Sequence, residues 1–213
     1  MTTRAEFLER LAKRLEAGLP ESPIRPIRQI PNDPIGYSVD LGDPPARFVE
    51  SAAAVGVEVV SATETTLADV AWGVVEELGV GSTVAVTGEQ VLAPIADRLA
   101  EIVVADHEPA SLSDVSLGVT GAAAGVALTG SIVLDSSIDG ARVVSLLPEV
   151  HLAVLRRSDI VATPGSIFRR LGTPGHALPS NLVFITGPSR SADIELQLTI
   201  GVHGPRRVIV VLI

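Results

Sequence analysis

The first clear periodicity runs over residues 3–18, where Phe7, Leu8, Leu11 and Leu15 share one side of a 3.6-residue repeat and predict an amphipathic helix. Thr3 and Glu6 have the spacing of a capping box, and Gly18 suits a C-terminal cap. Over residues 19–45 the pattern lapses. Pro20, Pro23, Pro26, Pro31, Pro34, Pro44 and Pro45 forbid a continuous helix and predict an extended arm. From residue 46 onward helical and strand patterns alternate. Residues 47–55 read as helix and 57–60 as strand. Residues 66–78 form a strong amphipathic repeat, with Leu67, Val70, Ala71, Val74 and Leu78 on one side. A strand over 83–86 is followed by a helix to about residue 100, then by strands over 102–104, near 116–119 and near 131–134. Residues 150–155 read as strand, 164–171 as short helix, 182–186 as strand and 191–199 as a helix stopped by Gly201. The last segment, 207–213, is apolar at nearly every position, as a strand inside a sheet must be.

Strand–helix alternation of this kind predicts an α/β fold, a mostly parallel sheet with helices on both faces. The change of texture divides the chain into an N-terminal helix with a proline-rich arm, residues 1–45, and an α/β domain, residues 46–213.

Composition narrows the function classes. The chain has 213 residues, enough for a full core without covalent staples. Aromatic residues are only 3%, so the core is built from Ala, Val, Leu and Ile and little is left to stack on bases. The net charge, 16 − 25 = −9, points away from nucleic acid. Residues 115–134 carry no charge, but Gly118, Gly121, Gly125 and Gly130 interrupt them and Asp114 and Asp135 flank them. That predicts a buried glycine-rich turn rather than a membrane span. Cysteine is absent, which removes a thiolate nucleophile, a disulfide or a cysteine-held iron–sulfur cluster from this chain. With no apolar run near residue 1, a cytoplasmic location is expected.

Candidate chemistry concentrates near the C-terminus. Phe184-Ile-Thr-Gly-Pro-Ser-Arg-Ser-Ala-Asp-Ile-Glu-Leu, followed by Ile200-Gly-Val-His-Gly-Pro-Arg, reads as strand, tight turn, helix, turn, strand. Free amides at a helix start attract anions, and Arg190 would add a fork-shaped positive charge. Gly187, Pro188, Ser189 and Arg190 therefore form a candidate anion site. Asp193 and Glu195 would equally stabilise the helix dipole with no ligand bound, so both readings of the segment stand. His203, in the following turn, joins Asp193 and Glu195 as a candidate base, against the alternative of a turn histidine bonded to backbone. Glu89, after Thr87-Gly88, is either a second wall of the crevice or an ordinary first-turn acid. None of His107, His151, His176 and His203 has the spacing of a helical metal pair, and no metal site is expected.

These blocks resemble the signature of the LUD-domain family. They are the Thr186-to-Glu195 stretch, Gly201-Val202-His203-Gly204-Pro205, the residues Ser145 to His151, and Gly118-Val-Thr-Gly121 leading to Thr129-Gly130-Ser131. The resemblance covers about residues 46–213 and adds Thr129 and Gly130 to the anion-site set. It implies a fold like those of glucosamine-6-phosphate deaminase, ribose-5-phosphate isomerase and the CoA transferases. It also implies a part in oxidising L-lactate to pyruvate beside iron–sulfur partner proteins, with no cofactor in this chain. One departure matters: Ala123 and Leu128 stand where the family pattern has acids, and alanine cannot act as a general base.

Two functions follow as expectations. One is an accessory or ligand-binding subunit of a lactate-oxidising system, with iron–sulfur subunits as partners. The other is an enzyme of the phosphosugar-isomerase or acyl-transfer type acting on a small anionic substrate. A homo-oligomer is left open.

Overall fold

The computed structural model describes residues 3–16, 41–79, 81–104, 108–136, 141–171, 179–191, 199–201 and 203–213. The chain divides into two compact units, Met1–Ile35 and Gly36–Ile213. In the first, helix α1 (Arg4–Glu16) begins as its sequence demands. The Thr3 amide donates to Glu6 Oε2 at 2.8 Å and the Glu6 amide to Thr3 Oγ1 at 3.3 Å, the reciprocal capping box.

The second unit holds α2 (Pro44–Ala54), β1 (Glu58–Ser61), α3 (Leu67–Leu78), β2 (Val84–Val86), α4 (Ala93–Arg98), β3 (Leu117–Gly121), β4 (Ala124–Val126) and β5 (Ser131–Asp135). It continues with α5 (Ala141–Leu146), β6 (Val150–Leu155), β7 (Ile160–Val161), α6 (Pro164–Leu171), β8 (Leu182–Ile185), β9 (Arg190–Ser191), β10 (Thr199–Ile200) and β11 (Arg207–Leu212). The main sheet has the order β1-β11-β6-β3-β2 and is parallel throughout. The uncharged stretch identified in the sequence becomes β3, β4 and β5, and no described helix is long and apolar enough to cross a membrane.

Helices cover both faces of this sheet, as expected. On one face Leu67, Ala71, Val74 and Val75 of α3 and Ile95 of α4 pack on Leu152, Val154, Ile209 and Val211. On the other, Phe48 and Ala52 of α2 meet Ala153, Leu155, Val208, Val210 and Leu212. The strand period of two explains the division, since alternate residues of β6 and β11 feed opposite cores. Val144 of α5 lies on this second side with Ala85. There Gly118 leaves no room for a side chain, because a Cβ would collide with the Val144 carbonyl oxygen.

Three features depart from the sequence reading. A second sheet, β7-β4-β5-β8, is mixed, with β5 antiparallel to both β4 and β8 and β4 parallel to β7. Residues 102–104 supply only one parallel bridge, Val84 to Val103, rather than a strand. The helix expected over 191–199 does not start where predicted, because Arg190 and Ser191 are extended and pair antiparallel with Ile200 and Thr199. The Ser189 amide donates to the Pro205 carbonyl and its carbonyl accepts from Gly201, both at 2.9 Å, which commits this backbone to extended pairing. Residues 192–198 lie outside the described residues.

His151 is fully buried in β6, where it shares a 2.9 Å hydrogen bond through Nε2 with Thr120 Oγ1. Its Nδ1 has no partner among the described residues. Burial holds its pKa well below the ordinary value, at about 4. The unfolded chain therefore takes up this proton first as pH falls. The stability that neutral His151 confers is complete above pH 6.5 and is lost as pH drops to about 4. The expected loss across that window is about 3 kcal/mol. Urea titrations at both ends, on the wild type and on His151→Leu, test this. A slope with pH that is equal in the two proteins refutes it.

Candidate functional site

Parallel strands place all their C-terminal ends on one edge of a sheet, and in open α/β folds ligands bind beyond that edge. Here β1, β2, β3 and β6 lead into Glu64, Glu89, Gly121 and Arg156 respectively. These residues line a crevice of about 580 Å³, with Ala123, Asp135 and Asp159 among the other walls. That volume suits a small metabolite.

Glu89 is the best-fixed side chain of the group. It occupies the capping position of a short 3-10 turn over Gln90–Leu92, yet its carboxylate does not cap that turn. Instead Oε1 accepts the Gly121 amide proton at 3.0 Å. A Cβ on residue 121 would lie 2.9 Å from that same oxygen, so the absence of a side chain at 121 is what admits the carboxylate. Glu89 Oε2 is closed off from solvent and has no hydrogen-bond partner among the described residues. A buried acceptor left unpaired costs free energy until a donor reaches it.

The remaining charges are arranged unevenly. Among the described lining residues there are four carboxylates, on Glu64, Glu89, Asp135 and Asp159, and one guanidinium, on Arg156. Arg156 Nη2 already lies 3.6 Å from Glu64 Oε1, a partly exposed pair of small energetic weight. Among the described residues no three of these acids, or of any acids and histidines, converge closely enough to hold a metal ion.

Of the predicted anion set, Ser189 lies against Gly204 and bonds the Pro205 and Gly201 backbone, while Gly187, Pro188, Arg190, Thr129 and Gly130 come together elsewhere. They gather around the last turn of α2. Gly187, at φ +93°, brings its backbone so close that a Cβ would lie 2.5 Å from the Val55 carbonyl oxygen. Gly130 is pressed against the Ala52 amide in the same way. Thr129 Oγ1, Ser131 Oγ and Thr186 Oγ1 form a chain of hydroxyls at 2.7 Å each, joining the two loops. Pro188 lies beside Gly56, and Arg190 Nη2 donates to the Val55 carbonyl at 2.9 Å. A guanidinium at the end of a helix satisfies an orphan carbonyl and complements the dipole. His203 is exposed in its turn, while Asp193 and Glu195 lie outside the described residues.

Of the crevice residues, the sequence singles out Glu89, Gly121 and Ala123. Asp135 is marked only as a flank of the uncharged stretch, and Glu64, Arg156 and Asp159 are not marked at all. Three of the crevice charges carried one usable signal. Asp135 closes β5, Arg156 directly follows β6, and Glu89 lies three residues beyond β2, each a charge met as a buried apolar run ends.

A family model described as the LUD domain matches residues 45–213. A protein from Bacillus licheniformis named lactate utilization protein C is 42% identical over 93 residues, which cover 42% of this chain and 39% of that relative. One of the same name from Bacillus subtilis is 41% identical over 101 residues, covering 46% and 42%. The matched segment thus spans about two fifths of the length of each relative. A crystal structure of a DUF162 family protein from Deinococcus radiodurans superposes with a TM-score of 0.56 at 24% identity, covering 78% of this chain and 94% of that one, a likeness of fold.

If Arg190 acts as the closing contact of α2, Arg190→Ala lowers stability by no more than about 1 kcal/mol. Denaturant titration measures it. A larger loss would mean that the guanidinium holds more than this one helix end.

Proposed function

Because the chain belongs to the LUD-domain family, we propose that it serves L-lactate utilization as a ligand-binding subunit. In this reading lactate is oxidised to pyruvate by a system whose electrons travel on iron–sulfur partner proteins. The names of its relatives support the process. The division of labour rests on composition: with no cysteine, this chain supplies no thiolate to hold a cluster. It carries no resident cofactor in this reading.

The observation that carries the binding role is the crevice at the C-terminal edge of the parallel sheet, with Glu89 fixed on the Gly121 amide. A carboxylate locked by a backbone donor loses little freedom when a ligand arrives, and such preorganisation favours binding. Ala123 is exposed on the rim of this crevice, so a bulky side chain there fills the space without disturbing the core.

Deleting the gene is expected to abolish growth on L-lactate while sparing growth on pyruvate. Restoring the wild-type gene rescues growth. Restoring Ala123→Phe, checked for an unchanged melting temperature, does not. Affinity capture of the full chain from lactate-grown cells recovers cysteine-rich iron–sulfur proteins. Normal growth on L-lactate after deletion would sink the proposal.

A further inference from the structure

We propose that β1 is the seam of a symmetric homodimer, in which the exposed edges of two main sheets join antiparallel into one continuous sheet.

The backbone carries the first part of the argument. β1 closes one side of the main sheet, and among the described residues its one neighbouring strand is β11. Along a strand in a parallel pair, alternate residues turn their amide and carbonyl toward the neighbour and the others turn them away. The Ala62 amide donates to the Leu212 carbonyl at 2.9 Å, which sets the parity. Glu58 and Val60 bond β11, while Val59 and Ser61 face outward. Val57, of the outward set, already donates its amide to the Ala52 carbonyl of α2 at 2.9 Å. The outward amides and carbonyls of Val59 and Ser61 have no partner among the described residues. Glu58, Val60 and Ser61 are exposed. Sheet edges are commonly blunted by lysine, proline or a bulge, and β1 has none of these.

These outward groups complement themselves. When two copies of β1 run antiparallel with Val60 opposite Val60 on the twofold axis, Val59 of each exchanges both backbone bonds with Ser61 of the other. Every outward group is then satisfied. Centring the pair on Val59 would set Ser61 against Val57, whose amide is taken. Centring it on Ser61 would set Val59 against Thr63, whose amide donates to Thr66 Oγ1 at 3.0 Å. Val60, 36% exposed, gains an apolar partner in the chosen register.

Charge order agrees with that register. At the start of β1, the Arg207 guanidinium donates to Glu58 at 2.6 and 2.7 Å and to Glu77 at 2.7 Å, so two carboxylates share one cation. At its end, Arg157 donates to Ser61 Oγ at 2.8 Å and has no ion pair among the described residues. Antiparallel pairing lays each copy's Arg157 end beside the other copy's doubly acidic end, once on either side of the axis. A foreign strand could use the edge hydrogen bonds, but a second copy matches both register and charge order by symmetry.

So short a seam makes a modest interface. Sedimentation of the full chain from about 1 to 500 µM is expected to show monomer passing to dimer, with a dissociation constant on the order of 10–100 µM. Val60→Glu sets like charges opposite each other on the axis and is expected to weaken the dimer about tenfold or more, with an unchanged melting temperature. Because the chain has no cysteine, Val60→Cys introduces a single thiol. Across the axis the two Cα atoms would lie about 4.5 Å apart, within disulfide reach. Mild oxidation is expected to give a covalent dimer that a reductant dissolves, whereas Leu128→Cys, exposed elsewhere, stays monomeric under the same treatment. A wild type that remains monomeric to about 500 µM overturns the proposal. So does a dimer that folded Val60→Glu leaves as tight as before, or a Val60→Cys chain that cross-links no better than Leu128→Cys. Should Val60→Glu fail to fold, the cross-linking comparison decides.

Discussion

The burial of β6 and β11 side by side in parallel register is the constraint on which the rest depends. Val150–Leu155 is buried at every position, and Arg207–Leu212 at every position after the first. Each strand feeds apolar side chains to both faces, so each face must be closed by helices. With the aromatic content so low, closure falls to short aliphatic side chains, which pack only at close range. That demand reaches the glycines. Gly118 lets α5 lie on the sheet, and Gly130 lets the second sheet's turn lie on α2. The crevice is a consequence of the same arrangement, since parallel strands that start together also end together.

At that edge, core and site meet in a single residue. Gly121 closes β3 and also donates the amide that fixes Glu89. Any side chain at 121 would displace the carboxylate before it disturbed the strand. The sheet itself therefore sets the position of the best-defined charge in the crevice. This differs from the loop around Gly187, where close approach serves packing: backbone is pressed on backbone at the end of α2, and Arg190 completes the helix.

The fold was largely legible because its signals are local and long. The 66–78 repeat, the Thr3–Glu6 pair and the apolar run at 207–213 each announce themselves within one segment. The features that escaped are short or depend on partners. β4 has three residues in a glycine-rich block and exists only through pairing with β5 and β7. The hairpin of β9 and β10 escaped because Ser189, Arg190 and Ser191 suit a helix start in isolation. Their extended pairing is imposed by Pro205 and Gly201, more than ten residues away. The site was legible only in part, for the same reason. Glu64, Asp135, Arg156 and Asp159 are ordinary surface charges in sequence, and only the strand ends bring them to one cavity.

Ala123 gains its meaning in this light. Its position lies on the crevice wall, with four carboxylates among the described lining residues. Alanine there adds no charge and little bulk to the wall. Leu128 is exposed and lies outside that wall. The two positions therefore have unequal reach: residue 123 lies on the crevice wall, and residue 128 lies on exposed surface outside it. At the crevice, then, a small exposed side chain at 123 stands beside the carboxylate that the Gly121 amide holds in place, so the size of residue 123 governs the space in front of that wall.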